Sequence, residues 1–200
     1  MEDARLTAPS VARNRGPILE VLRSILPPRG VVLEIASGSG EHAAFFARNL
    51  PHLVFYPSDP DAVARRSIAA WGAALGLANL RAPLALDAKQ GDWPIADANA
   101  ILCINMIHIS SWAATEGLIA GAGKILASNA PLYLYGPYRR AGFETAPSNL
   151  DFDAWLKAKD PDFGLRDLEA VAACAARNGF SAPEIVEMPA NNLSVIFRRA

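Results

Sequence analysis

Apolar residues come along this chain in two rhythms that take turns. One is the compact run of a few residues that suits a strand buried on both faces. It occurs at VVLEIA (31–36), LVFY (53–56), LRAPLAL (80–86), ANAILCIN (98–105) and PLYLY (131–135). The other spaces apolar positions three and four apart, as one face of a helix requires. It occurs at GPILEVLRSIL (16–26), where Pro17 suits a first-turn position, and at EHAAFFARNL (41–50) and AVARRSIAAWGAAL (62–75). A fourth instance, ATEGLIAGAGKIL (114–126), is weakened by three glycines. Strands alternating with helices predict an α/β domain, a mostly parallel sheet with helices on both faces. Pro83 cannot donate to a ladder, so the run 80–86 is expected at a sheet edge.

The pattern changes towards residue 200. RDLEAVAACAARNG (166–179) reads as a helix closed by Gly179. Two strand-like runs follow, EIVEMP (184–189) and LSVIFRR (193–199), separated only by ANN. That spacing leaves no room for a crossover helix, so the pair must be an antiparallel hairpin. The expectation is a seven-stranded sheet whose last strand lies antiparallel between the fifth and the sixth. Residues 136–164 interrupt the alternation with aromatic, charged and turn residues, which suits a cover over a site. No repeat or linker divides residues 1–200, so one domain is expected.

Composition narrows the function classes. A net charge of −1 argues against a general nucleic-acid binder. The pairs Arg65–Arg66, Arg139–Arg140 and Arg198–Arg199 read as solvated faces. Cys103 and Cys174 lie in apolar or alanine-rich runs and read as reduced core residues. No apolar run approaches a membrane span, and MEDARLTAPSVARNRG lacks the apolar core of a secretion signal, so a soluble cytoplasmic protein is expected. His42, His52 and His108 do not fall at metal-ligand spacing, and no metal is expected.

The chemistry concentrates in LEIASGSGEH (33–42). A glycine turn between strand and helix lets backbone approach a ligand closely. GSGEHA satisfies the dinucleotide pattern G-x-G-x-x-A, which alone is weak. Glu34, inside the strand, adds information. A carboxylate there suits a ligand with ammonium and sulfonium charges and would repel a pyrophosphate; it could also cap the amides of the turn. The arrangement resembles the first motif of class I S-adenosylmethionine-dependent methyltransferases, an acidic residue followed by G-x-G-x-G, with Ala36 standing at the first glycine. It makes Glu34, Ala36, Ser37, Gly38, Ser39 and Gly40 cofactor-binding candidates. Asp59, with Pro60 in YPSDPD, can take both ribose hydroxyls, or it can cap the next helix, for which Asp61 is equally available. Asp87 stands where such enzymes often bind the adenine amino group, with the Ala88 amide beside it. Asn105, Met106 and Ile107 would flank the ligand at the end of the fourth strand. His108 suits either a general base or a packed histidine. Tyr138 and Arg139 follow the fifth strand and could orient an acceptor.

The whole chain resembles a small methyltransferase-like family known as domain of unknown function 938. RNRGPILEVL, LEIASGSGEHAAFFA, YPSDPD, INMIHISSW and LYLYGPYRRAGFETAPSN carry the likeness. It implies a Rossmann-like class I methyltransferase fold, S-adenosylmethionine as cofactor, and Arg13 and Asn14 folded back over it. It also makes the segment 136–165 the substrate-side cover. The expected activity is methyl transfer to an unidentified small molecule or peptide. Two alternatives stay open: a nicotinamide-dependent oxidoreductase, which lacks a Tyr-x-x-x-Lys pair here, and a non-catalytic S-adenosylmethionine-binding adapter.

Overall fold

The computed structural model describes residues 3–200. Strands β1 (Gly30–Ile35), β2 (Leu53–Pro57), β3 (Ala100–Ile104) and β4 (Pro131–Gly136) pair in parallel, in the spatial order β2-β1-β3-β4. Their apolar runs carry side chains to both faces because both faces are covered. On one face lie α1 (Pro9–Ile25) and α2 (Glu41–Asn49), sharing a core with Val32, Leu102 and Tyr133. On the other lie α4 (Trp112–Ile125) and α6 (Leu168–Arg177), packed on Leu33, Ile35, Cys103 and Leu134. Helix α3 (Ala62–Leu75) follows β2 and packs on α2. Both cysteines are buried and unpaired.

Beyond β4 the sheet turns antiparallel. β7 (Glu184–Met188) and β8 (Asn192–Arg198) form the expected hairpin, and β8 lies between β4 and β7. Its turn uses Ala190 and Asn191, both at positive φ.

Among the described residues the sheet has six strands rather than seven. The run 80–86 does lie at the β2 edge, as Pro83 demanded, but touches it only at two isolated bridges, Phe55 with Leu80 and Ser58 with Leu84. Between those bridges Pro83 has no N–H to offer, so no continuous ladder forms. A second correction concerns α1. Pro9, not Pro17, occupies its first turn, and Pro17 lies inside it. The helix passes through at the cost of the bond the Arg13 carbonyl would have accepted.

The three glycines of α4 have a packing reason. A Cβ on Gly117 would stand 2.1 Å from the Ala88 carbonyl oxygen, one on Gly121 2.2 Å from the Trp93 ring, and one on Gly123 2.9 Å from the Asn178 carbonyl. The helix gives up propensity to approach its neighbours. The interruption at 136–165 contains a helix, α5 (Pro147–Lys159), and a two-residue strand, β5 (Tyr138–Arg139), which pairs in parallel with β6 (Arg166–Asp167) just beyond it. Among the described residues no helix is long and apolar enough to cross a membrane.

Candidate functional site

A crevice of about 490 Å³ opens where the parallel strands end. Ile35 and Ala36 enter it from β1, Asp59 and Pro60 from the end of β2, and Leu86 to Lys89 from the following loop. Met106 and Ile109 to Ser111 come from beyond β3, Ala114 from α4, and Asp160, Asp162 and Phe163 from the segment after α5. A ligand site at the carboxyl ends of parallel strands is where such sheets offer one.

The glycine turn is bent by three left-handed residues, Ala36 (φ 55°), Gly38 (φ 55°) and Gly40 (φ 84°). An alanine in this conformation costs roughly 1–2 kcal/mol. Open space surrounds the position of a Cβ on Gly38, whereas one on Gly40 would come 2.7 Å from the Ile68 Cα. Gly38 therefore offers bare backbone, and Gly40 lets α2 meet α3. The turn is tied to the end of β2. Ser37 N–H donates to the Ser58 carbonyl at 2.8 Å, and the Ser58 hydroxyl donates to the Glu34 carbonyl at 2.7 Å. Behind it the Ser67 hydroxyl donates to the Ser39 carbonyl at 2.6 Å and accepts the Leu6 N–H at 2.8 Å.

Of the two aspartates, it is Asp61 that takes the capping role. Asp61 caps α3 by accepting the Val63 N–H at 2.9 Å. Asp59 is buried, and its carboxylate accepts the Gly38 N–H at 3.0 Å and the Asp61 N–H at 2.9 Å. Arg65 donates to the Asp59 and Pro60 carbonyls and not to that carboxylate. Glu34 is 2 % exposed, and its Oε2 has no hydrogen-bond partner. Burial pushes its carboxyl up to about 7; a Ser37 hydrogen bond opposes this, and the neighbouring Asp59 charge adds to it.

The other expected residues separate. Asp87 is half-buried and accepts the Lys89 N–H at 3.0 Å; Ala88 is buried under α4. Asn105 takes a left-handed conformation (φ 63°), and its carbonyl accepts the His108 N–H at 3.0 Å, closing a short 3-10 turn. Met106 faces the crevice; Ile107 is in the core, its carbonyl taken by Arg166 Nε at 2.8 Å. Asn14, on α1, meets His42 Nε2 through its Oδ1 at 2.8 Å, while Arg13 is exposed. Neither lines the crevice; both stand on the α1 side of the glycine turn.

His108 is fully buried, with no hydrogen-bond partner for either ring nitrogen. Its ring meets Tyr138 edge-on, centroids 4.9 Å apart. Burial, with Arg166 nearby, pushes its pKa down to about 3, so the ring is neutral at ordinary pH. Gly136 makes room for it, since a Cβ there would lie 2.4 Å from Nε2. Tyr138 is also buried and its hydroxyl unpartnered; it lines a second cavity of about 170 Å³ with Arg140, Phe143, Asn149 and Asn191. Arg139 pairs with Asp153, which also receives Lys157 Nζ at 2.7 Å and the Leu165 N–H at 2.8 Å. Arg139 thus fastens the cover segment. Among the described residues no three His, Cys, Asp or Glu side chains are grouped to hold a metal.

Sequence reasoning did not single out Ile109 to Ser111, Asp160, Asp162 or Phe163. Only the composition of the cover segment pointed towards the last three. Their place on the crevice wall depends on Arg166, which donates to the Ile107, Ser110 and Asp162 carbonyls and draws two distant loops together.

A family model described as "Protein of unknown function (DUF938)" matches residues 5–199. The fold is that of the class I methyltransferases. An O-methyltransferase family protein from Burkholderia thailandensis superposes with a TM-score of 0.80 at 16 % identity, over 96 % of this chain and 57 % of that one. An O-methyltransferase family 2 protein from Planctomyces limnophilus DSM 3776, in complex with apigenin, gives 0.77 at 17 % identity, over 96 % and 59 %. This chain therefore spans little more than half the length of either.

Proposed function

The chain belongs to this family of unknown function, and from its crevice we propose that it transfers a methyl group from S-adenosylmethionine to a small-molecule or peptide acceptor. One observation carries the reading. Two buried carboxylates, Glu34 and Asp59, sit together at the glycine turn with no ion-pair partner. Such a pair favours a cationic adenosine ligand and opposes a nicotinamide dinucleotide, whose pyrophosphate would be repelled.

Bound there, S-adenosylmethionine supplies an activated methyl group on a sulfonium. Asp59 has lone pairs left for ribose hydroxyls, and the Gly38 backbone allows close approach. Asp87 and the Ala88 amide suit adenine. Glu34, Ala36, Ser37, Ser39 and Gly40 shape the turn, while Met106 sets the opposite wall, held by the short turn that Asn105 and Ile107 form with it. Arg13 and Asn14 close the α1 side. The acceptor is assigned to the face formed by the cover segment, which also lines the Tyr138 cavity.

Methyl transfer from a sulfonium is an in-line displacement whose leaving thioether needs no proton, so alignment and exclusion of water do most of the work. A neutral, partnerless His108 is a weak base. We assign it, with Tyr138, to shaping the acceptor side, and Arg139 to holding the cover in place. His108→Ala is expected to lower the melting temperature and spare the rate per folded molecule. A roughly 10²-fold loss of turnover would instead give His108 a proton-transfer role.

Titration calorimetry with S-adenosylmethionine and with NADH tests the main reading. The first should bind and the second should not. Asp59→Ala removes charge-assisted hydrogen bonds worth roughly 1.5–3 kcal/mol each, so affinity should fall at least about tenfold. An unchanged dissociation constant in a folded Asp59→Ala protein removes Asp59 from the site.

A further inference from the structure

We infer that Glu34 is neutral in the free protein and becomes charged when a cationic ligand fills the crevice, so that binding the methyl donor releases one proton to solvent. The inference rests on the methyl-transfer reading above and adds a regulation of the same site.

The geometry comes first. Strand alternation puts Leu33 and Ile35 on the α4 face, so Glu34 points with Val32 to the α1 and α2 face. Its carboxyl does not itself line the crevice, but the next two residues, Ile35 and Ala36, and its neighbour Asp59 do. Asp59 is well provided for, with two backbone amides on its carboxylate. Glu34 is not, because its Oε2 has no donor at all. Two buried like charges side by side, only one of them satisfied, cannot both be ionised cheaply. The proton belongs on Glu34.

No nearby protein group supplies the missing positive charge. Ser37 and Asp59 are the groups acting on Glu34, and burial pushes the Cys103 thiol on β3 up so that it stays neutral. On the α1 and α2 face, His42 is bonded to Asn14 and held to about 4 by burial and Arg15, so it too is neutral near pH 7. Tyr135 on β4 is pushed up by burial. Arg15 lies over the Phe45 ring at 4.8 Å, and Arg13 is exposed. A ligand bearing a sulfonium and an ammonium brings the countercharge with it. The carboxyl then gives up its proton, and no other bond is made or broken.

The test is proton counting by calorimetry on the intact protein, titrating S-adenosylmethionine in two buffers of different ionisation enthalpy. Close to one proton should be released near pH 6, where the ligand's own α-ammonium stays protonated. Near pH 8.5 Glu34 releases almost none, and the ligand, whose amino group titrates at about 8, takes up a proton instead. Affinity should rise by up to about tenfold per pH unit below 7 and stop rising above it. Glu34→Gln mimics the neutral carboxyl in shape; it should bind more weakly near pH 8.5 and release no proton near pH 6. Binding without proton release in the natural protein overturns the inference and leaves the methyl-transfer reading standing. Undiminished release from Glu34→Gln overturns it too. No binding at either pH overturns both. The proton count on the unaltered chain decides the matter even if Glu34→Gln does not fold.

Discussion

Buried titratable residues pull the stability of this fold in opposite directions. Glu34, held near 7, keeps a proton that an unfolded chain surrenders above about 4.5, so it lowers stability as pH rises between those values. His42 and His108, pushed down to about 4 and about 3, refuse protons that an unfolded chain binds below about 6.5, so they lower stability as pH falls. Near pH 5.5 the unfolded chain carries about two more protons on the histidines and one fewer on Glu34. The net is one, and these three groups should make stability rise by about 1.4 kcal/mol per pH unit there. Glu34→Gln removes the opposing proton and should roughly double that slope. Denaturant unfolding at pH 5 and pH 6 measures both; equal slopes would mean that Glu34 is ionised in the folded protein. Ala36 makes a separate case. Relief of its left-handed strain should outweigh the added chain entropy, so Ala36→Gly is expected to stabilise by up to about 1 kcal/mol, or roughly 2–4 °C. Thermal melting decides it, and a fall in melting temperature would count against strain at this turn. Glu34, the glycine turn and the two aspartates after β2 were legible because local spacing sets them, though not which aspartate would cap α3. The burial of His108 was not. It depends on Gly136 and on Gly164, whose N–H reaches the His108 carbonyl at 2.9 Å from a distant loop.

Helix α4 shows where propensity loses to packing. Gly117→Ala should help an isolated helix by about 1 kcal/mol. Here the new methyl would meet the Ala88 carbonyl oxygen at 2.1 Å, and backbone cannot swing aside as a side chain can. Overpacking of this kind costs about 1–3 kcal/mol. The expected net outcome is a lower melting temperature together with weaker S-adenosylmethionine binding, because Ala88 lines the crevice. A melting temperature that rises would show that the loop yields freely. The same contest explains which elements the sequence revealed. Runs such as AILCI and PLYLY could only be buried strands, and they are. LRAPLAL has the composition of a strand, but one missing N–H reduces it to two bridges. Helix α5 escaped notice because its buried positions are Asn149, Asp153 and Leu156 while Phe152 and Trp155 face outward, which blurs any apolar stripe.

At the scale of the molecule, both sheet edges are blunted. The 80–86 segment lies along β2, and Glu184 and Glu187 put exposed charge on β7. Strand β8 has a different position, since it joins β4 to β7 and comes later in the chain than either. A polypeptide leaves the ribosome in order, so β4 emerges with one side of its backbone still unmatched, and β7 emerges with no neighbour to pair with. The missing piece between them arrives only with residues 192–198. Before that moment a nascent chain can assemble the four parallel strands but not close the sheet, and the β4 flank stays open to chaperones or to strand exchange with another copy.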